Sequence, residues 1–540
     1  MPLAADQPVH VFVLAGQSNM EGKAKVSLLE HQAHDPNTAM EFAHVMDGTD
    51  FRVWEKVRIK FLDRKGKLTA GFGSPNCIGP ELGFGEKIAQ HIDGDIVLIK
   101  TAWGGKSLFR DFRPPSSGMP SEETLEKLLQ QARNRKPKTT AEEISDSFGY
   151  FYREMVSEVR ETLDNVGEHF PELADRDLEL AGFVWFQGWN DMVNDSYTAE
   201  YAENMANFIR DVRKDLGKPN LPFVIGQLGV GGLFEQQQNP KKQAFKDAQA
   251  QAAELPEFEG NVSVVPTDVL WDMRADAVFQ KGWKENLEEW NTIGSDYPYH
   301  YLGSARAYLR MGNAFAQSVL ELMGVVEAEF YTPEVRDIEG WTVEVDPLLV
   351  SPDYQDIGDQ AMKALANHLQ RVKYIVPQDR IDQLVKLPIR LELFNRKLTS
   401  MQYHPDRGWL VAHRHDPHLV NRVHIPRATA LFDSAMWAKH PYVVLHELAH
   451  SYHDQVLGFD HPEIIAAFEE AKEKGSYEDV LLYTGERVRH YGLSNHKEYF
   501  AESTEAYFGV NDFYPFVRAE LKEHDPRMFE LLEKIWGKVK

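Results

Sequence analysis

The chain has 540 residues, 43% of them hydrophobic and 26% charged, with a formal net charge of -24. That length exceeds what one hydrophobic core supports, so two or three domains are expected. The acidic balance argues against nucleic acid as a partner, because phosphate binding needs a basic surface. It also disfavours general attraction to anionic membranes or polyanionic glycans. No apolar stretch is long enough to span a bilayer. The single cysteine, Cys77, leaves no intrachain disulfide and no cysteine metal cluster, and reads as a small buried hydrophobe. The opening "MPLAADQPVH" has small residues like the tail of a removed export signal. It points to a secreted or periplasmic protein, with the cytoplasm as the alternative.

Strand-like apolar runs alternate with helical patterns over the first 320 residues or so. The runs are Val9–Leu14, Ile96–Thr101, Ala181–Phe186, Pro222–Gln227 and Val262–Thr267. Helical patterns fill Glu81–His91, Ser147–Val166, Ala199–Leu216 and Lys242–Ala253. Strands separated by helices imply parallel βαβ units and a doubly wound α/β sheet. Residues 106–146 and 229–241 read as insertions that form surface loops or exposed helices. After about residue 325 the pattern changes. "EGWTVEVDPLLVSPD" reads as a strand and turn, "IGDQAMKALANHLQRVKYIVP" as an amphipathic helix, and "LPIRLELFN" as another strand. The rest is mainly helical. Two domains are expected, 1–325 and 326–540.

The first run ends in "GQSNMEG", so Ser18 stands on a Gly-flanked turn just beyond a strand. Reactive groups of such sheets gather beyond the strand C-termini. A serine hydroxyl needs a base within hydrogen-bond reach and N–H donors for the oxyanion formed at a carbonyl. "KTAWGGKSL" offers the Gly104 backbone, "VWFQGWND" offers the side chains of Gln187 and Asn190, and "GSDYPYHYLG" offers His300 with Asp296 four residues before it. These blocks, with "GPELGFGEKIA" and "FKDAQAQAAEL", resemble the SGNH hydrolase superfamily, and within it the sialate O-acetylesterase and acetylxylan-esterase-like group. The resemblance covers roughly residues 8–322. It implies a three-layer α/β/α sandwich (flavodoxin-like) that removes acetyl groups from O-acetylated glycan or glycoprotein. It also implies Ser18 as nucleophile and oxyanion donor, Gly104 as second donor, and His300 as general base. Either Gln187 or Asn190 would be the third donor, and Asp296 would be the carboxylate partner of His300. The chain departs from the group at Trp189, where a Glu is usual, and in the four-residue Asp296–His300 spacing.

A second constellation lies in "YVVLHELAHSYHDQVLG". His446 and His450 are one helical turn apart, so both imidazoles leave one face. They can share a Zn²⁺, with Glu447 placed to accept a proton from water. His453 reads as a neighbour of the site or as surface. Downstream, "RHYGLSNHKEYFAESTEAYF" carries Glu498, Glu502 and Glu505 at helical spacing. Here the text resembles the catalytic domain of anthrax-lethal-factor-like metallopeptidases, over roughly residues 440–508. The resemblance implies a mainly α (α+β) zincin-like domain and a peptide substrate. It makes Glu498 the third zinc ligand, Glu447 the general base, Tyr491 an oxyanion donor, and Glu502 the carboxylate that fixes a ligand histidine. "RVHIPRATALF" is a candidate edge strand for an extended peptide. The combined expectation is a bifunctional hydrolase. The alternatives are a zinc peptidase with an inactive glycan-binding esterase-like half, and an active esterase with a non-catalytic zincin module.

Overall fold

Strand β1 (Val9–Gly16) sits at the centre of a seven-stranded sheet, in a computed structural model that describes residues 7–233, 239–327, 330–395 and 397–539. The other strands are β2 (Trp54–Phe61), β3 (Arg64–Leu68), β4 (Ile96–Ala102), β5 (Leu178–Phe186), β6 (Phe223–Gln227) and β7 (Val262–Pro266). Their order is β7-β6-β5-β1-β4-β2-β3, and every neighbouring pair is parallel except the β2–β3 hairpin. From β1 the chain forms the outer β2–β3 hairpin and then β4 on one side, and afterwards β5, β6 and β7 on the other. The end of β1 is therefore a topological switch point, where a crevice opens beyond the strands. The five apolar runs are all strands of this sheet. The hairpin carries charge on its buried face, Arg58 and Lys60, and extends the sheet past them.

Side-chain alternation puts helices on both faces, the three-layer arrangement. Phe183 and Trp185 pack on Phe208 of the helix Asp195–Asp215, and Tyr152 of the helix Tyr150–Asp164 meets the same ring. Residues one step along point the other way. Phe186 meets Phe315 of the helix Ala305–Leu322, and Phe12 meets Phe84 of the helix Glu81–His91. Those last two helices touch backbone to backbone. A Cβ at Gly83 would lie 2.4 Å from the Leu309 carbonyl oxygen, and one at Gly312 2.1 Å from that of Pro80. Residues 106–146 hold the helices Glu122–Arg135 and Ala141–Asp146. Residues 234–238 of the second insertion lie outside the described residues.

Contacts divide the chain into two units, Met1–Ala328 and Glu329–Lys540. The second has a five-stranded mixed sheet of β8 (Glu334–Ile338), β9 (Trp341–Val345), β10 (Ile389–Leu391), β11 (Gln402–Tyr403) and β12 (Val423–Ile425), in the order β8-β9-β10-β12-β11. The rest is largely helical, led by Gln355–Ile375, Val443–Tyr452 and His496–Phe508. The expected edge strand at "RVHIP" is corrected. β12 is interior, parallel to β10 on one side and antiparallel to β11 on the other. "ATALF" is a short 3₁₀ turn. The edges of this sheet are β8 and β11. Among the described residues no helix is long and apolar enough to cross a membrane.

Candidate active sites

Register sets the first site. Gly16 pairs with Ala102 on one side and Phe186 on the other, so residues just past all three strands share one end of the sheet. Gly16 must be glycine, because a Cβ there would lie 2.1 Å from the Phe186 carbonyl oxygen. The chain then turns at once into the one-turn helix Ser18–Glu21, with Ser18 8% exposed. Below it, the fully buried Lys100 ammonium donates to Glu81 (2.6 Å) and to the Glu21 and Phe72 carbonyls (2.8 and 2.9 Å). Burial pulls its pKa down, so the Glu81 partner is needed to keep it charged. Gly104 lies beside the serine, since a Cβ on it would sit 3.8 Å from the Ser18 Cβ.

His300 arrives on the loop Pro298–Gly303, which contains two left-handed non-glycine residues, Tyr301 (φ 51°) and Leu302 (φ 60°). Such conformations cost of order 1 kcal/mol each and persist only where the surroundings over-determine them. Here the fully buried Tyr301 hydroxyl is fixed by Thr267 and by the Gly229 N–H. The loop is also tied to the serine turn. The Asn19 amide donates to the Tyr299 carbonyl (3.1 Å), and the Tyr308 hydroxyl bonds both Asn19 Oδ1 (3.1 Å) and the His300 carbonyl (3.4 Å). The four-residue Asp296–His300 spacing closes well, with His300 Nδ1 3.0 Å from Asp296 Oδ2 and the Tyr297 N–H on Oδ1 (2.7 Å). Burial pushes the Asp296 carboxyl up, but those two hydrogen bonds and the facing imidazole hold it below its ordinary value.

The two candidate third donors differ. The Gln187 amide nitrogen already donates to the Lys106 carbonyl (3.0 Å) and to Asp191 (2.6 Å), and its Oε1 accepts from Tyr201. Both its N–H groups are committed, so Gln187 does not fit the donor role. Asn190 is half-buried and gives one N–H to the Gly105 carbonyl (2.8 Å), which leaves it a second. Asp191, next to it, has no counterpart in the sequence reading. Fully buried, it accepts from Leu108 N, Phe109 N and Gln187, and burial lifts its carboxyl to about 6. It ties the strand end to the loop after Gly104. The carboxylate next to an expected donor was the only signal for it.

The second site is carried by two helices. His446 and His450 leave the buried helix Val443–Tyr452, and Glu498 enters from the first turn of His496–Phe508. Asn495 caps that helix by accepting from Lys497 N and Glu498 N. His446 Nε2 and His450 Nε2 are 3.0 Å apart, and Glu498 Oε2 lies 3.3 and 3.2 Å from them. Bonds of 2.0–2.1 Å to a tetrahedral zinc put ligand atoms about 3.3 Å apart. Two imidazole nitrogens and a carboxylate oxygen thus fit such an ion in type and in spacing. Glu447 and Tyr491 line the same cleft, of about 730 Å³, as do Met401, Gln402 and Tyr403 at the β11 edge. Burial raises Glu447, while hydrogen bonds from the two histidines outweigh burial and hold Glu498 well below its ordinary value.

Two acids of that second helix face His446. Glu502 makes a long ion pair, with its Oε1 3.8 Å from the His446 Nδ1. Glu505, one turn further along, takes that nitrogen at 2.7 Å and also reaches His440 Nε2 at 2.8 Å. Glu502 is left buried, its carboxyl pushed up to about 8 by burial. His453, expected as a neighbour of the site or as surface, is not on the surface. It is fully buried against Phe459, Phe500 and His496, and burial drops its imidazole to about 3.

The first unit is a three-layer α/β sandwich with a serine just beyond its central strand. Residues 8–277 match the family described as carbohydrate esterase, sialic acid-specific acetylesterase, and the chain belongs to that family. The matched stretch ends before Asp296 and His300. A probable carbohydrate esterase of Arabidopsis thaliana is 22% identical over 237 residues, 42% of this chain and 72% of that protein. Its X-ray structure aligns at 18% identity with a TM-score of 0.33, over 58% of this chain and 99% of that one. A carbohydrate acetylesterase from Xanthomonas citri aligns at 14% identity with a TM-score of 0.35, over 60% and 59%.

Proposed function

We propose that the first unit removes acetyl groups from O-acetylated carbohydrate, on sialate or polysaccharide. The observation that carries this reading is the Asp296–His300 pair at 3.0 Å, on a loop hydrogen-bonded to the Ser18 turn. His300 takes the proton of Ser18 as the hydroxyl oxygen attacks the acetyl carbonyl. The backbone N–H groups of Ser18 and Gly104, with the Asn190 amide, receive the oxyanion. Collapse expels the sugar alcohol, which leaves with the proton from His300, and an acetyl-serine remains. Water then attacks with His300 again as base, and acetate departs. Asp296 holds the Nδ1–H tautomer throughout. The test is release of acetate from acetylated xylan and from O-acetylated sialic acid by the parent and by Ser18→Ala. Equal release by both proteins ends the proposal.

A second reading, peptide-bond hydrolysis by the other unit, is favoured by the three converging donor atoms of His446, His450 and Glu498. These residues would hold one zinc ion, which when bound supplies Lewis-acid chemistry to water and to a carbonyl. Glu447 would accept the proton of the attacking water and pass it to the leaving amine, and Tyr491 would donate its hydroxyl to the oxyanion. An extended peptide would lie against the β11 edge, which borders the cleft. Elemental analysis of the parent and of His446→Ala tests the site, and casein hydrolysis by Glu447→Gln tests the activity. Substoichiometric zinc in the parent, or parental casein turnover in Glu447→Gln, overturns it.

A further inference from the structure

Beside the first site runs an aromatic strip that the catalytic reading does not use. Trp189 follows the end of β5, between the two glutamine-block residues Gln187 and Asn190. Its ring lies 5.7 Å from that of Tyr299. Tyr299 in turn contacts the His300 imidazole at 4.5 Å and lies parallel to Tyr297, at 5.5 Å with 7° between planes. Trp283 then meets Tyr297 at 6.0 Å. Tyr297 and Tyr299 are 46% and 38% exposed, and Trp189 and Trp283 are half-buried. Trp271 and Trp290, close by in the chain, are buried core residues. Trp189 and Trp283 also rest on that core, Trp283 meeting Trp290 at 6.0 Å, so the core fixes the two ends of the strip while Tyr297 and Tyr299 between them face solvent.

Resting on the esterase reading, we propose that Trp189, Tyr299, Tyr297 and Trp283 form a stacking platform for the pyranose ring that carries the ester. Continuity with the site argues for this occupant, since the strip starts at residues flanking Asn190 and His300. A pyranose presents a face of C–H groups that lie flat on aromatic rings, while its hydroxyl edge stays in water.

The experiment compares two acetate esters on the full chain, β-D-glucose pentaacetate with its pyranose ring and glycerol triacetate without one. Tyr297→Ala and Trp283→Ala should each lower the kcat/KM ratio of pentaacetate to triacetate about fivefold to tenfold, chiefly through KM. Tyr297→Phe, which keeps the ring and loses only the hydroxyl, should hold the parental ratio. An unchanged ratio in both alanine variants overturns the platform, as does a loss equal on the two esters. A protein that hydrolyses both esters as well after Ser18→Ala fails the esterase reading instead, so the two failures are told apart.

Discussion

The two candidate sites are built by opposite means. In the first unit each group comes from a different strand end or loop: Ser18 after β1, Gly104 after β4, Asn190 after β5, and His300 from a loop more than 280 residues from the serine. In the second, two helices supply the main groups, and one turn of helix sets His446 and His450 side by side. The first site depends on sheet register and on a strained loop held by Tyr301. The second depends on helical periodicity and on buried acids. A strand-end site is assembled by topology, whereas a helical one is encoded locally.

Independence of the two constellations gives the largest expected effect. Ser18→Ala should cost at least about 10³-fold in ester hydrolysis and leave casein turnover and metal content as in the parent. Glu447→Gln should do the reverse. A single variant that removes both activities would mean that one site serves both, and the comparison would collapse.

Next in size is the choice of oxyanion donor. Asn190→Ala should lower kcat for ester hydrolysis about 10²–10³-fold with KM little changed, as removal of one such donor does elsewhere. Gln187→Ala should act on stability, because it strips Asp191 and the Lys106 carbonyl of a buried partner. Steady-state kinetics and urea midpoints of the two variants separate the roles. A larger kcat loss in Gln187→Ala would reverse the assignment.

In the helical site the contrast is between two acids on one face. Glu505→Gln should weaken zinc retention about 10–100-fold, as loss of a carboxylate behind a metal-bound histidine does, measured by competition with a chelator. Glu502→Gln should change it far less, because Glu502 stands 3.8 Å from His446 Nδ1. Equal effects would restore Glu502 as a carboxylate that fixes a ligand histidine.

These cases also show what the sequence made legible. The five parallel strands were readable because their runs are apolar, and β1, β4, β5 and β6 are buried almost throughout. The β2–β3 hairpin was not, since Arg58 and Lys60 interrupt its pattern and are neutralised by Asp95, Glu158, Glu161 and Glu172 further along the chain. The spacing of His446, Glu447 and His450 was visible because one helical turn is a local rule. Glu505 was hidden because it and Glu502 lie one turn apart on the same helix, and spacing alone does not choose between them. The Asp296–His300 pairing was unreadable from spacing alone, since it requires the left-handed turn at Tyr301 and Leu302 that follows the histidine.

Asp191 offers the smallest effect and the finest test of how the strand-end site is held. Its carboxyl is lifted from 3.8 to about 6 by burial, against three hydrogen bonds that favour its charge. A folded pKa above the unfolded one means that the folded state binds the proton more tightly. The resulting stability is full below about pH 4 and is lost as the pH climbs through about 6. At 1.36 kcal/mol per unit the span is on the order of 3 kcal/mol at most. Asp191→Asn removes this titration, and its amide must turn one N–H toward Leu108 N or Phe109 N, so the variant is less stable at every pH. The urea midpoint of the parent, followed by loss of esterase activity assayed after return to neutral pH, should therefore fall between pH 4 and pH 6.5 relative to that of Asp191→Asn. Parallel curves for the two proteins would mean that Asp191 is ionised throughout, held by its N–H donors as firmly as burial opposes it, and that the strand-end site rests on a fixed charge.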